Sequence, residues 1–256
     1  MSFFVGCTDL LRVEPENSLT FGNITKEKDV EALVYGVGAG VRDMVCWNAL
    51  LQVEKGAYAD EADESRRGAR MLELEAGTAD LWEAWYQVIM GAETVLSHVD
   101  VVEMPNERRQ FYKGQAYFFK ALAYFDLIRR WGDCILQKGG INWEPVAKTP
   151  WPKVCDFAIE MAEKAAEILP PFDKLTDCNG NTMLSKSTPC QGAAYALLAH
   201  LCAWKAGGKY FAAEVDRNYD EKELWDMAEK ACTKVIESPL YDLVATPEEV
   251  CDGKEG

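Results

Sequence analysis

Side chains able to perform catalysis are present in this sequence, but they do not stand at catalytic spacing. The chain has two histidines, His98 and His200, and neither belongs to an HExxH metal-binding pair. The nucleophile motif GxSxG and the phosphate-binding P-loop are also absent. Two carboxylates at the right separation can hydrolyse a glycosidic bond, but 42 acidic residues supply such pairs by chance. The sequence therefore predicts a protein that is not an enzyme.

Cysteine spacing predicts neither a metal site nor a redox centre. The nine cysteines form no CxxC pair and no metal-ligand pattern, so no metal and no cofactor are expected. Cys155, Cys202 and Cys232 fall on apolar faces of predicted helices, which predicts small buried side chains. Cys178 and Cys190 flank a predicted loop and could pair as a disulfide or stay free.

The net charge excludes two classes of partner. At −15, the chain lacks the basic surface that nucleic-acid phosphates require, and it lacks a basic patch for anionic lipid. No stretch reaches the roughly 18 to 20 apolar residues that span a bilayer. We therefore expect no nucleic-acid partner and no membrane-spanning helix.

The sequence predicts a set of helices arranged around one central helix. Residues 115–131 contain no Pro or Gly and are apolar on nearly every side, which indicates a helix buried among others. Gly132 then fits the position after a helix C-terminus. Helical spacing predicts further helices at 27–47, 79–96, 152–169, 192–206 and 220–236, the last capped by Asp220.

An internal repeat relates two of these helices. The tetrapeptide GQAY at 114–117 recurs as GAAY at 192–195, which is 78 residues later. Each copy pairs with an amphipathic helix, and such pairs bury their apolar faces only by stacking on one another. The predicted fold is therefore an all-α, tetratricopeptide-like array of helix pairs with long irregular loops. Residues 241–244 are the one place where a short strand is conceivable.

The predicted organisation is a lead-in and one helical domain. Residues 1–26 form an irregular lead-in, and residues 27–256 form the helical domain. Within that domain, residues 48–78 are a long loop and residues 79–238 carry the repeat helices. A loop of this length in a compact domain is usually functional or disordered.

Several segments together resemble the SusD/RagB-type nutrient-binding outer-membrane lipoproteins of Bacteroidetes. The central helix resembles the signature helix of that family, through GQAY at 114–117, ALAYFDL at 121–127 and WGD at 131–133. The segment LWEAWYQVI at 81–89 and the GAAY segment resemble further repeat helices, in the family's order. Members usually run to about twice this length, so we expect the chain to correspond to the N-terminal half.

The resemblance implies a function and a location. Family members capture oligosaccharide or polysaccharide at the outer-membrane surface without cleaving it, and deliver it to a TonB-dependent (SusC-like) transporter. Cys7 resembles the lipid-bearing cysteine of a lipoprotein, although the apolar run before it is shorter than a secretory signal. The implied membrane contact is therefore an N-terminal lipid anchor on a surface-exposed protein.

The residues best suited to bind a sugar are aromatic side chains outside the helical pattern. An aromatic ring stacks on the apolar C–H face of a pyranose, and polar groups at the rim bind its hydroxyls. Trp47, Asn48 and Tyr58 border the long loop, and Trp143 and Trp151 lie in the loop after the central helix. Each tryptophan could instead pack in the core. Five others stand at helical positions and are expected to be structural: Trp82, Trp85, Trp131, Trp204 and Trp225.

An alternative function follows from the helix pairs alone. Arrays of this kind also serve as protein-interaction scaffolds, which would have a concave apolar face and no affinity for sugar.

Overall fold

The computed structural model describes residues 23–47, 79–137, 139, 144–183, 187–246 and 249. These residues form six α-helices: α1 (Glu27–Trp47), α2 (Ala79–His98), α3 (Asn106–Trp131), α4 (Trp151–Ile168), α5 (Gln191–Gly207) and α6 (Glu221–Ile236). Single 3₁₀ turns lie at Phe172–Lys174, Lys209–Phe211 and Glu214–Asp216. The helices agree with those predicted from hydrophobic spacing, and the all-α fold is confirmed.

Local sequence sets the ends of the helices. Gly132 ends α3 with a φ of +70°, a conformation that glycine adopts without strain, and its N–H donates to the carbonyl oxygen of Ile128. Asp220 caps α6 by accepting the backbone N–H of Lys222 at 2.8 Å. Both ends match the sequence prediction.

The six helices pack as a stacked array. Each helix packs against the next one along the chain, and α3 also contacts both α1 and α5. The core therefore runs through α3, whose residues from Ala123 to Ile128 are all buried. The prediction of a short strand at residues 241–244 was wrong. The described residues pair only in isolated bridges, such as Cys134 with Thr149.

The repeated glycines hold equivalent contacts in successive helix pairs. A Cβ atom on Gly114 of α3 would lie 2.7 Å from Cγ of Leu169, which follows α4. A Cβ atom on Gly192 of α5 would lie 2.4 Å from the hydroxyl of Tyr241, which follows α6. In both pairs a large side chain beyond the second helix packs on a glycine of the first. This contact also explains why Tyr241 lies against a helix instead of in a strand.

A polar network joins α1, α3 and the segment after α4. The guanidinium of Arg108 donates to Glu27 at 2.7 Å and to the carbonyl oxygen of Thr176 at 2.8 Å. The buried carboxylate of Glu31 accepts the backbone N–H of Cys178 at 2.8 Å. Such charge-assisted bonds fix α1 against two distant parts of the chain.

The cysteine predictions have mixed outcomes. Cys155 and Cys202 are buried, as expected, but Cys232 is exposed, so its predicted burial was wrong. Cys178 and Cys190 are both free thiols, which rules out the disulfide between them. Cys232 faces outward because α6 packs along one side on α5 and buries only a narrow stripe that includes Leu224 and Ala228.

No helix among the described ranges is long and apolar enough to cross a membrane.

Candidate functional site

The loop between α3 and α4 is fixed by two tyrosines, the partly buried Tyr86 and the buried Tyr124. The hydroxyl of Tyr86 donates to the carbonyl oxygen of Ile135 and accepts its N–H, both at 2.8 Å. The hydroxyl of Tyr124 does the same for Gln137, at 3.2 and 2.9 Å. Burial raises the pKa of both tyrosines, so the hydroxyls stay protonated and can donate.

The two ends of this loop are also joined to each other. Cys134 and Thr149 exchange backbone hydrogen bonds of 3.2 and 2.7 Å. A carboxylate oxygen of Asp133 accepts the N–H of Trp151 at 2.9 Å, which ties the end of α3 to the start of α4. The two ends of the loop are therefore held together, and Trp143 stands between them in the sequence.

A cavity of about 430 Å³ lies between this loop and α4. Its volume is in the range of small-molecule sites, roughly 300–1,000 Å³. One aromatic ring and several polar side chains line it: Leu136, Thr149, Lys153, Asp156, Phe157 and Glu160. A flat apolar wall with carboxylates, an ammonium and a hydroxyl at its rim is the combination that binds a sugar.

Neighbouring side chains hold the groups of the cavity in place. The ring of Phe157 meets that of Tyr124 edge to face at 5.6 Å, and the ammonium of Lys120 lies 5.1 Å from its centroid. Lys205 is buried and donates to the carboxylate of Asp156. Because these partners hold Phe157 and Asp156, those two side chains need little reordering to bind a ligand.

Of the predicted sugar-binding residues, the structure describes the side chain of Trp151 alone. Trp151 is the first residue of α4 and is half-buried, and a Cβ atom on Gly208 would lie 3.1 Å from its ring. Trp47 ends α1, but its side chain lies outside the described part of the structure. Asn48, Tyr58 and Trp143 are outside the described residues, as is Cys7.

Sequence reasoning missed Phe157. It stands off the apolar stripe of α4, whose buried members include Cys155, Ala158 and Ala162. An aromatic residue off the buried face of a helix, six residues after Trp151, is a signal that the sequence contains. That signal becomes meaningful only when the loop is known to fold back over α4.

The helical tryptophans do not behave as one group. Trp85 is buried, and the rings of Trp82 and Trp131 pack edge to face at 5.4 Å, as expected of structural residues. Trp204 and Trp225 were expected to be structural as well, but they are 40% and 49% exposed. Trp204 lies with His200 on a narrow exposed stripe of α5, and Trp225 stands on α6, whose buried residues are Leu224, Ala228 and Ala231.

A second cavity, of about 370 Å³, lies between α3 and the segment after α4. Arg108, Phe111 and Thr176 line it, but the guanidinium of Arg108 is already paired with Glu27. The described residues contain no cluster of three His, Cys, Asp or Glu side chains that could hold a metal ion. The loop cavity beside α4 is therefore the better candidate site.

Comparison with known proteins adds a family match. A SusD-like family model, described as starch-binding and associating with the outer membrane, matches residues 52–202, more than half of the chain. A SusD-like protein P2 of Formosa agariphila is 25% identical, over 76% of this chain and 39% of its own length. The chain thus spans well under half of this relative.

Solved structures share the helical fold. A SusD-like carbohydrate-binding protein of Bacteroides vulgatus superposes with a TM-score of 0.63 at 17% identity, over 88% of this chain and 47% of its own. A laminarin-binding SusD-like protein superposes with a TM-score of 0.51 at 20% identity, over 66% of this chain and 33% of its own. At these identities the likeness concerns the fold alone.

Proposed function

Because the chain belongs to the SusD-like family, we propose that it captures oligosaccharide or polysaccharide at the outer-membrane surface without cleaving it. The observation that carries this proposal is the family match across residues 52–202, which includes α2, α3 and α4 and the loop cavity between them. The captured glycan would pass to a TonB-dependent (SusC-like) transporter. A lipid on Cys7 would supply the membrane anchor.

The proposed mechanism is stacking combined with hydrogen bonding. In the loop cavity, Phe157 offers an apolar ring, and Asp156, Glu160, Lys153 and Thr149 offer donors and acceptors at the rim. Trp143, in the loop before α4, and Trp151, at the start of α4, would extend the aromatic surface. Trp47, Asn48 and Tyr58 would contribute from the long loop at residues 48–78. Weak affinity for each sugar unit is expected, since one ring and a few hydrogen bonds carry it.

The test is affinity gel electrophoresis with the neutral polysaccharides laminarin, starch and xyloglucan. The decisive variant is Phe157→Leu, which keeps an apolar side chain on α4 but removes the flat ring. Phe211→Ala is the matched control, because Phe211 is 90% exposed and lies outside the cavity. We expect retardation by at least one glycan, weakened at least tenfold by Phe157→Leu or Trp143→Ala and unchanged by Phe211→Ala. Absence of retardation, or equal retardation of all variants, would contradict the proposal.

A protein-interaction scaffold is the alternative function, and one feature favours it. Phe211 and Val215 are 90% and 84% exposed on the segment between α5 and α6. The guanidinium of Arg217 holds that segment rigid by donating to the carbonyl oxygens of Tyr210 and Ala212 at 2.9 and 2.8 Å. Rigid exposed apolar side chains suit a protein partner. Sugar binding that depends on Phe157 would decide against this alternative as the main function.

A further inference from the structure

A compact cluster of side chains surrounds the buried ring of Phe125, away from the loop cavity. The guanidinium carbon of Arg129 lies 4.4 Å from the centroid of that ring, and the imidazole of His200 lies 4.7 Å from it. The indole of Trp204 meets the same ring edge to face at 6.1 Å. Arg129, His200 and Trp204 are all exposed, whereas Phe125 is 2% exposed. Three side chains with different chemistry thus share one patch across α3 and α5.

The guanidinium of Arg129 is held in a fixed orientation. One of its nitrogens donates to a carboxylate oxygen of Asp126 at 2.8 Å, and the ring of Phe125 supports it from below. Asp126 is buried, and its other oxygen accepts a hydrogen bond from Arg130. The remaining donors of Arg129 are therefore presented by an anchored group, which lowers the entropy cost of binding.

The charge of the cluster is opposite to that of the whole chain. Two guanidiniums, Arg129 and Arg130, share the one carboxylate of Asp126, which leaves an excess positive charge. The pKa of His200 is lowered, first by burial and then by the positive charge of Arg129. The chain as a whole has a net charge of −15, so this positive patch stands out against an acidic background.

We propose that this cluster is a second glycan-binding surface, specific for sugar units that bear a carboxylate or a sulfate. The exposed indole of Trp204 stacks on the C–H face of the pyranose ring. The guanidinium of Arg129 binds the acidic group through parallel N–H donors. His200, beside both, hydrogen-bonds a hydroxyl. The two carboxylates at the rim of the loop cavity, Asp156 and Glu160, would repel such a ligand.

The site differs from the one under the proposed function in both position and ligand. The loop cavity contains Asp156 and Glu160, which repel anionic sugars, whereas at the cluster two arginines share one carboxylate. The inference rests on the proposed function only in assuming that the ligand is a glycan. The two sites can therefore be tested with separate glycans and separate variants.

The test compares polymers of the same sugar backbone with and without a free acidic group. Polygalacturonate is compared with its fully methyl-esterified form, and dextran sulfate with dextran, by affinity gel electrophoresis or calorimetry. The first pair detects carboxylate recognition and the second detects sulfate recognition. We expect the wild-type chain to bind at least one acidic polymer ten times more tightly than its neutral counterpart, and to lose that preference as salt screens the charge.

Three variants locate the binding. Trp204→Ala and Arg129→Gln should each weaken binding of the acidic polymer at least tenfold. Arg129→Lys should keep only part of the affinity that Arg129→Gln loses. Trp225→Ala is the matched control, since Trp225 is 49% exposed on the neighbouring helix and lies outside the cluster. Asp126 stays paired with Arg130 when Arg129 is replaced, so the variant should fold, and circular dichroism checks this.

Equal affinity for acidic and neutral polymers would overturn the inference, as would wild-type affinity in Trp204→Ala. Loss of neutral-glycan binding in Phe157→Leu, with acidic binding intact, would leave this site standing and support both proposals. Binding of acidic polymer without any neutral-glycan binding would retain this inference and contradict the proposed neutral capture site.

Discussion

Among single residues, the buried cysteines combine small size with suppressed reactivity. Burial raises the pKa of the Cys134 thiol to about 12 and that of Cys202 to about 12. Burial also raises the pKa of Cys155, whose Sγ lies 3.7 Å from the carbonyl oxygen of Leu201. Since the thiolate is the nucleophile, these thiols stay inert near neutral pH.

This predicts selective alkylation of the native protein. With iodoacetamide at pH 7.5, we expect Cys232 to be modified rapidly, because its side chain is exposed. Cys155 and Cys202 should be modified only after urea is added. Peptide mass mapping at successive times distinguishes these sites. Equal rates of modification in the native and unfolded protein would contradict the described burial.

His200 should make stability depend on pH. Its pKa in the folded protein is below the ordinary value of 6.5, because burial and Arg129 both disfavour the imidazolium. As the pH falls below about 6.5, the unfolded chain therefore binds a proton more readily than the folded one, and the folded state loses stability.

We expect His200→Gln to remove this contribution. The urea midpoint of unfolding should fall less between pH 7.5 and pH 5.5 in the variant than in the wild type. The other titrating groups are common to both proteins and cancel in the comparison. If the urea midpoint fell further in His200→Gln than in the wild type, the folded state would favour the imidazolium of His200.

Among the helices, close contact at Gly114 is the clearest determinant of packing. A Cβ atom there would meet Cγ and Cδ2 of Leu169 at 2.7 and 2.8 Å. Overpacking of this kind costs about 1–3 kcal/mol, whereas replacing a helical glycine by alanine gains about 1 kcal/mol. The difference predicts that Gly114→Ala destabilises the protein by up to about 2 kcal/mol, measured by urea unfolding.

Gly36 offers the matched control on α1. It is exposed, and nothing lies within 4 Å of a Cβ atom built on it. Gly36→Ala should therefore stabilise the protein by about 0.5–1 kcal/mol through helix propensity alone. If both variants shifted stability in the same direction, the contact with Leu169 would not be the reason that Gly114 is a glycine.

The helices could be predicted because their signals are local. Hydrophobic spacing, Asp220 at one helix start and Gly132 at one helix end depend on residues within a few turns of each other. The loop cavity could not be predicted in this way. It depends on Tyr86 of α2 holding the backbone of Ile135, 49 residues away. The exposure of Trp204 was missed for a similar reason, since spacing alone cannot say which faces of a helix a neighbour covers.

On the scale of the whole molecule, negative charge opposes the compact state. The net charge of −15 produces self-repulsion, which salt screens at a Debye length of about 8 Å near physiological ionic strength. Paired groups that are buried, such as Lys120 with Glu93, are screened much less. We therefore expect the thermal midpoint to rise by about 2–4 °C between low salt and about 150 mM NaCl.

Differential scanning calorimetry at constant pH measures this shift. Sodium chloride is the suitable salt, because sulfate would also strengthen apolar burial. A fall in the midpoint would mean that ion pairs near the surface contribute more to stability than self-repulsion removes.

The family could be identified from the sequence because its signature lies in one central helix and in the order of the helices that follow. The sugar-binding residues could not be located in the same way. Trp47, Asn48, Tyr58 and Trp143 were selected as aromatic or polar residues outside the helical pattern. No contact among the described residues tests them, so they stay predictions.

The bond between Glu31 and the backbone of Cys178 has a consequence for the synthesis of the chain. The two residues are 147 positions apart, and ribosomes add about 5–20 residues each second. The backbone N–H of Cys178, the last donor to Glu31, is therefore synthesised about 7–30 s after Glu31 itself. Arg108 is translated in between and can supply an interim partner. The first helix of the array is thus among the last to be locked in place, and a chaperone has that interval in which to bind it.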